Sequence, residues 1–429
     1  MRIVIVGASL AGLRAAEALR GLGFDGSLTL IGDEPYEPYD RPPLSKAVLL
    51  GVIPPDHAAL PFRPDLDAKW RLGVRATTLD LETNQVMLGD GATVEFDKVL
   101  IATGVRARPW ANSAEATLDG VFTLRTCDDS RAIDERLSAG PRHVLVIGAG
   151  FTGSEIASVC RERGLSVTVT ERCPAPLVGA LGGVVAAIAA DMQSDHGVDL
   201  RTGVTVTGLE GDGNGRLSRA HLSDGTALDV EVAIVAQGSI RNTDSLAGSG
   251  LAAGPRGVSG DVARQPHPLY DYQLLALEHW GNAIGQAEVA AHNMMHDGLR
   301  RRPHLEIPAF WSSQFGVNIK SVGIPTYSDQ VVITQGSVAD RRFVGAYGFR
   351  GRVTAAVAFN QGKWLDFYRG LIESAAAFPR EFDVMDRTEP FEVRTSELPD
   401  PAVLSHGPTV AVTGHLPTER RVEFVSLPK

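Results

Sequence analysis

Cysteine is scarce, with only Cys127, Cys160 and Cys173 in 429 residues. No two of them form a C-x-x-C pair, which excludes a dithiol redox centre and a four-thiolate zinc or iron–sulfur site. Three unpaired thiols in a reducing compartment remain. Long apolar runs are also missing; none reaches the roughly 20 residues that a bilayer-spanning helix needs. No basic-then-apolar leader precedes the first strand, which begins at Ile3. The expectation is a soluble, cytoplasmic protein. Cations are outnumbered, 41 Lys and Arg against 51 Asp and Glu, a formal charge of -10. That balance argues against nucleic acid as a partner.

What is abundant is glycine, 46 residues, which suits tight turns and close approach of backbone to ligand. With 44% hydrophobic and 21% charged residues the chain reads as globular. Its length calls for about three domains.

Residues 2–6 read as a buried strand, Leu10 to Leu22 as a helix and 27–31 as a second strand, a βαβ unit. The same design returns about 140 residues later, with a strand at 143–147, a turn at 148–153, a helix at 153–163 and a strand at 166–170. Between the two units, 74–101 reads as hairpin strands turning at Asn84 and Asp90-Gly91. Residues 202–235 repeat that theme, with turns at Gly211–Gly215 and Asp224-Gly225. From 307 onward, short strands and a helix at 363–376 suggest an α+β domain. After Pro379 the chain reads as a loosely packed tail with β-like runs such as 408–413. The fold class is therefore α/β, two Rossmann-like dinucleotide-binding domains followed by a C-terminal α+β domain.

The turn Gly148-Ala149-Gly150-Phe151-Thr152-Gly153 has full G-x-G-x-x-G spacing between a strand and a helix. The first glycine permits the turn, the second admits the pyrophosphate and the third lets helix pack on strand. The phosphates then sit on the helix N-terminus. Glu171, 18 residues past Gly153, stands where a carboxylate binds the adenosine ribose hydroxyls. It would repel a 2′-phosphate, favouring NADH over NADPH, with the adjacent Arg172 partly offsetting it. In the first turn, Gly7-Ala8-Ser9-Leu10-Ala11-Gly12, Ser9 takes the middle place and could bond a phosphate through its hydroxyl. Asp33, 21 residues past Gly12 and followed by Glu34, supplies the ribose carboxylate. A purely structural glycine turn is the plain alternative at both places. The stiff run Arg41-Pro42-Pro43-Leu44-Ser45-Lys46 follows, and its prolines can aim Arg41 and Lys46 at a bound anion.

These residues carry a resemblance. The run Tyr39-Asp40-Arg41-Pro42-Pro43-Leu44-Ser45-Lys46, with Ala102-Thr103-Gly104, Gly148–Glu155, Gly260-Asp261-Val262-Ala263, Glu278-His279-Trp280 and Phe310-Trp311-Ser312, resembles the FAD- and NADH-dependent ferredoxin reductases. Those enzymes serve cytochrome-type monooxygenases and Rieske-type oxygenases; rubredoxin reductases and apoptosis-inducing factor are relatives. The likeness covers about residues 1–375.

The resemblance implies FAD at the first site and NAD at the second. It implies a discontinuous FAD-binding domain (1–109 and 238–306), an inserted NAD-binding domain (110–237), a C-terminal reductase domain (307–378) and a tail of unreadable role (379–429). Lys46 and Glu155 would stand at the hydride-transfer face. Arg41, Ala76, Arg125 and Asp261 would contact FAD, the last through its ribityl chain. Trp280 and Trp311 would line the flavin, and Gly238, Glu278 and His279 would belong to the cofactor site. A hydride would pass from NADH to FAD, and electrons would leave singly to an iron–sulfur carrier.

Three departures from the family pattern stand beside Ser9, and the tail from Pro379 is one of them. Arg241 stands where the family has proline, in Gly238-Ser239-Ile240-Arg241-Asn242, either as an exposed arginine or as a phosphate or carrier contact. Before Gly260-Asp261, only Ala252 to Ser259 is available where the family places a hairpin and a strand. Either an edge of the domain is lost or a piece is absent; the second is simpler and predicts a long Cα gap near Gly254–Ser259. For docking an acidic carrier, Arg300, Arg301, Arg302, Arg341, Arg342, Arg350 and Arg352 are candidates, and charge reversal at Arg341 and Arg342 is expected to raise the KM for it. The rival functions are an NADH-responsive sensor like apoptosis-inducing factor and a catalytically degenerate flavoprotein. A disulfide reductase is discarded, since Leu44 and Ser45 stand where its cysteines would. Monomer and homodimer are both open.

Overall fold

A computed structural model describes residues 1–54, 58–63, 65–250 and 258–378, together with the backbone of 393–395, 409–413 and 421–425. The first βαβ unit forms as read. Arg2–Val6, the helix Leu10–Gly21 and Ser27–Ile31 build a parallel sheet whose order is Lys69–Arg71, Ser27–Ile31, Arg2–Val6, Lys98–Ile101. Both faces are covered, so the strands are nearly all apolar: Ile3, Val4, Ile5 and Val6 are all buried. One face packs on the first helix and on a second helix, Trp280–Met295, which returns from much later in the chain. Ala283, Ala287 and Ala291 recur every fourth residue along that second helix, and their small side chains let the two helices approach closely. The other face is capped by the antiparallel hairpins Ala76–Asp80, Gln85–Leu88 and Thr93–Glu95.

The segment before Gly260 lies mostly outside the described residues, which resume at Val258. There Val258 makes a single parallel bridge to Ile101, and the Ser259 N–H donates to the Ile101 carbonyl at 2.9 Å. Among the described residues the sheet therefore has four full strands and one bridged position at its Ile101 edge.

The second unit gives a five-stranded parallel sheet, ordered Asp199–Thr202, Val167–Glu171, Val144–Ile147, Val232–Val235, Val121–Thr123. Its helix starts at Phe151, directly on the glycine turn, two residues earlier than the pattern suggested. The hairpins Val206–Gly211, Leu217–Leu222 and Ala227–Asp229 repeat the earlier theme. An antiparallel ribbon, Val105–Ala107 against Ser239–Arg241, carries the chain between the two dinucleotide-binding halves.

The C-terminal part is an antiparallel sheet, Ala309–Gln314, Val317–Gly323, Arg352–Phe359, Arg342–Phe349 and Gln330–Ser337, backed by the helix Leu365–Glu373. Val393–Thr395 adds a sixth strand at its edge, and Thr409–Thr413 pairs with Arg421–Val425, so parts of the segment read as a loose tail form strands. One hydrophobic cluster runs unbroken from Ile156, Val159, Val185 and Met192 of the second unit into Phe315, Ile319, Phe343 and Phe359. Each such side chain contributes about 1.5–3 kcal/mol on burial. The second and third units are therefore fastened by a shared core, while the first and second are joined by the ribbon and by a smaller cluster in which Leu44 and Val48 meet Leu124 and Cys127. Among the described residues no helix is long and apolar enough to cross a membrane.

Candidate active site

Backbone crowding explains the outer glycines of both turns. Gly7 has φ +121°, and a Cβ there would lie 2.0 Å from the Ala102 carbonyl oxygen; Gly148 has φ +103°, with 2.5 Å to that of Ala236. A Cβ on Gly12 or Gly153 would fall 1.9 Å from the carbonyl oxygen of Gly7 or Gly148. These two serve helix–strand packing. The middle positions are different. Nothing lies within 4 Å of a Cβ on Gly150, and its φ of -71° suits any residue. Ser9 has φ -96° and makes no capping hydrogen bond to its own helix. The protein itself thus demands no glycine at position 9; only a ligand's bulk would, and a serine side chain is small.

Two cavities meet at the first turn. They share Ser9, Tyr39, Arg41, Ala102, Gly104 and Arg125, and together make one elongated cleft. Gly7, Asp33, Glu34 and Thr103 line one end. Leu10, Ala11, Lys46, Glu155, Gly260 and Asp261 line the other, with Glu278, His279, Trp280 and Trp311. Arg41 lies at the middle, but its guanidinium is not left to an anion alone. It bonds Glu34 at 2.5 Å, the Tyr39 hydroxyl at 2.9 Å and the Arg125 carbonyl at 2.7 Å. Burial raises the Tyr39 phenol's pKa, so it stays protonated and donates to Glu34. Arg125 bonds Asp261 at 2.8 Å, while its Nε is buried without a protein partner. An orphaned donor on the wall of a long cleft that also contains a helix N-terminus fits a diphosphate-bridged dinucleotide such as FAD.

At the far end of the cleft Glu155, 5% exposed, gathers donors from three parts of the chain. Lys46 Nζ stands 2.6 Å from its Oε2, which also accepts from the Ser45 hydroxyl. Ser312 Oγ donates to Oε1 at 2.6 Å. Trp280 Nε1 donates to Asp40 at 2.8 Å, and burial raises that carboxyl's pKa. Trp311, 42% exposed, stands edge-on to Trp280 with centroids 6.0 Å apart. His279 stacks on Phe310 at 5.6 Å and meets the edge of Phe151 at 6.3 Å. Burial pushes the His279 imidazole down to about 4, so it is neutral at neutral pH.

The second cleft is lined by Gly148, Gly150, Glu171, Arg172 and Gly238. Glu171 accepts the N–H of Ala149 at 2.8 Å and of Cys173 at 2.9 Å, one per oxygen. Each oxygen keeps a lone pair for a ribose hydroxyl. Arg108, which sequence reasoning missed, joins Arg172 on the wall. Phe151 lines both clefts, and Thr152 and Glu155 follow it on the wall of the first, so the two clefts meet at one helix N-terminus.

Ala76 opens a hairpin strand and packs against the apolar cluster of Leu79, Val86 and Leu88, outside these three cavities. Arg241 is half-buried in the connecting ribbon, its backbone paired with Val105, rather than an exposed arginine. Arg341 bonds Asp195 at 2.8 Å and the Ile188 carbonyl at 3.3 Å, bridging the third unit to the second. Arg350 and Arg352 flank Asp271 at 3.9 and 3.6 Å. Arg301 pairs with Asp297, and Arg302 contacts His292 at 2.6 Å. Arg300 and Arg342 are exposed. Strand register puts Trp311 opposite Lys320, and Lys320 opposite Ala358, six residues along the strand from Arg352. Lys320 also runs beside Gly362, next to the exposed Lys363. In the sequence, Ser45 and Ser312 carry no signal beyond membership of the two motif runs, because a lone serine advertises no chemistry.

Residues 1–261 match the family described as Pyridine nucleotide-disulphide oxidoreductase, and 309–392 match Reductase C-terminal. The chain is 34% identical to a probable ferredoxin reductase of Castellaniella defragrans, over 82% of this chain and 89% of that one. It is 33% identical to rhodocoxin reductase of Rhodococcus erythropolis, over 79% and 81%. Among solved structures, a ferredoxin reductase of Rhodopseudomonas palustris superposes with a TM-score of 0.80 at 31% identity, covering 88% of this chain and 97% of that one. The reductase in a covalent putidaredoxin reductase–putidaredoxin complex gives 0.81 at 29%, covering 87% and 93%. With the paired clefts, these likenesses establish that the chain belongs to the ferredoxin reductase family of FAD- and NAD(H)-dependent pyridine nucleotide oxidoreductases.

Proposed function

We propose that this protein is a cytoplasmic NADH:ferredoxin oxidoreductase, moving electrons from NADH through FAD to a small iron–sulfur protein of an oxygenase system. The observation that carries the reading is the meeting of the two clefts at Phe151, with the Lys46–Glu155 pair beside it. FAD, when bound, supplies an acceptor for a hydride and a donor of single electrons. The chain's own residues bind, orient and exclude water. The helix N-termini after Ser9 and Gly150 would hold the two pyrophosphates. Arg125 Nε, Ser9 and Asp261 would hold FAD along its length, with Asp33 and Glu34 at the adenosine end. Glu171 would take the ribose hydroxyls and favour NADH. The Trp280–Trp311 pair and the His279–Phe310 stack would wall the flavin end. The ribbon at 105–107 and 239–241 supports domain limits of 1–109 with 238–306, 110–237 and 307–378.

The carrier would dock over the exposed Trp311. Lys320 and Lys363, beside it, suit this better than the arginines. Arg300–Arg302 lie past the end of the 16-residue helix that starts at Trp280, about 24 Å away along its axis. Arg350 and Arg352 lie along the sheet from Trp311, at the end where Asp271 sits. Relatives named as reductases of dioxygenase systems and the structure of a reductase bound to putidaredoxin support this class of partner. The test is an anaerobic visible spectrum before and after one equivalent of NADH. Rapid bleaching of flavin bands is expected. A colourless protein that takes up no added FAD would overturn the reading.

A further inference from the structure

The strand Ala309–Gln314 alternates, with Phe310, Ser312 and Gln314 buried and Trp311 and Ser313 exposed. Period-two alternation sends the first three toward the helix that carries Glu155. Ser312 is 1% and Gln314 2% exposed. Gln314 Nε2 donates to Ser312 Oγ at 3.1 Å, and Ser312 Oγ lies 2.6 Å from Glu155 Oε1. An amide nitrogen can only donate, and a carboxylate can only accept. The single hydroxyl proton of Ser312 is therefore committed to Glu155, and the bond from Gln314 holds it there. Nearby, the Phe315 N–H donates to Ser158 Oγ at 2.7 Å, pinning the end of this strand to the same helix.

We infer that Ser312, backed by Gln314, is a positioning residue through which the C-terminal domain sets the Lys46–Glu155 pair at the hydride-transfer junction. The inference deepens the electron-transfer reading and rests on it. The physical reason is satisfaction of a buried charge. Oε2 accepts from Lys46 and Ser45, and Oε1 accepts from Ser312. Without that hydroxyl, Oε1 is left in a place with little access to water, and Glu155 must turn to find a donor, loosening its grip on Lys46. An ordering of this kind makes the C-terminal domain part of the reductive half-reaction, besides its place beside the carrier.

The experiment compares wild type, Ser312→Ala and Ser312→Thr by rapid mixing with NADH, and runs a double-mutant cycle of Ser312→Ala with Lys46→Met read as the thermal midpoint of the purified protein. The limiting rate of flavin bleaching is expected to fall on the order of tenfold in Ser312→Ala. The Kd for NADH and the rate of reduction by dithionite stay at wild-type values, and Ser312→Thr, which keeps the hydroxyl, restores the rate. In the cycle, removing Lys46 should lower the midpoint less once Ser312 is gone, since the pair is already loosened. An unchanged bleaching rate, or strict additivity in the cycle, overturns the inference. If NADH fails to bleach the wild type, the electron-transfer reading falls by itself, while the cycle still decides whether Ser312 couples to Lys46.

Discussion

Lys46 and Glu155, 109 residues apart in the chain, are joined by a 2.6 Å ion pair that spans the two βαβ units. Lys46 is 21% exposed along its side chain and Glu155 6%. Removing one partner strands the other's charge near the floor of the cleft, which costs about 3 kcal/mol when the remaining ion is buried. Lys46→Met should therefore lower the thermal midpoint by several degrees and slow bleaching by NADH, because Glu155 then faces the cavity uncompensated. Lys46→Arg should retain much of the stability but place a planar fork where a point charge stood. Calorimetry and rapid mixing on the two variants separate these effects. A Lys46→Met protein with unchanged midpoint and unchanged bleaching would show the pair to be idle.

Ser9 makes a sharper test of how FAD is held. Its backbone needs no glycine, and its hydroxyl makes no capping bond within its helix. Ser9→Gly should weaken FAD binding about fivefold, the worth of roughly one hydrogen bond. Ser9→Leu should weaken it far more, by filling the place the pyrophosphate needs. Titration of the apoprotein followed by flavin fluorescence measures both. Tighter binding in Ser9→Gly would mean that the serine is only tolerated.

Most of this architecture was legible because its signals are local. The glycine turns at 7–12 and 148–153 are fixed by clashes with the carbonyls of Ala102 and Ala236, and such clashes leave a spacing in the sequence. Glu171 follows from its spacing after the second glycine turn, 18 residues past Gly153. What escaped were relations that only tertiary packing creates. Ser312 reaches Glu155 across 157 residues, and nothing near either residue announces it. Arg341 looked like a surface charge in a list of arginines, yet its side chain folds back onto Asp195.

Acid should unfold this protein earlier than its carboxylates alone would dictate. Burial pushes His279 and His304 each down to about 4, below the unfolded value of about 6.5. The folded state thus binds fewer protons than the unfolded chain between those values. Stability from this source is complete above about pH 6.5 and is lost as pH falls toward the folded pKa values. The thermal midpoint should accordingly decline between about pH 6.5 and 5, before most carboxylates titrate. His304→Gln, which can keep the contact to Asn282 without an ionisable ring, should flatten part of that decline. A midpoint level across that window would show both imidazoles to be freely protonated.

The docking surface can be tested against the arginines that the sequence alone would nominate. Lys320 lies across the strand from Trp311, on the exposed side of the sheet, and Lys363 follows the glycine against which Lys320 runs. Lys320→Glu with Lys363→Glu should raise the KM for an acidic carrier by about tenfold and weaken the salt dependence of turnover, since exposed charges act mainly on encounter. NADH-to-dye activity should hold, because neither lysine lines a cofactor cleft. Arg341→Glu should behave in the opposite sense. It sets two carboxylates, its own and that of Asp195, against each other at the junction of two domains, so the thermal midpoint drops and both activities decline together. Measuring carrier KM, dye activity and midpoint on the same preparations decides between the surfaces. If Arg341→Glu raises the carrier KM selectively and the lysine pair does not, the carrier docks on the other side of the third domain.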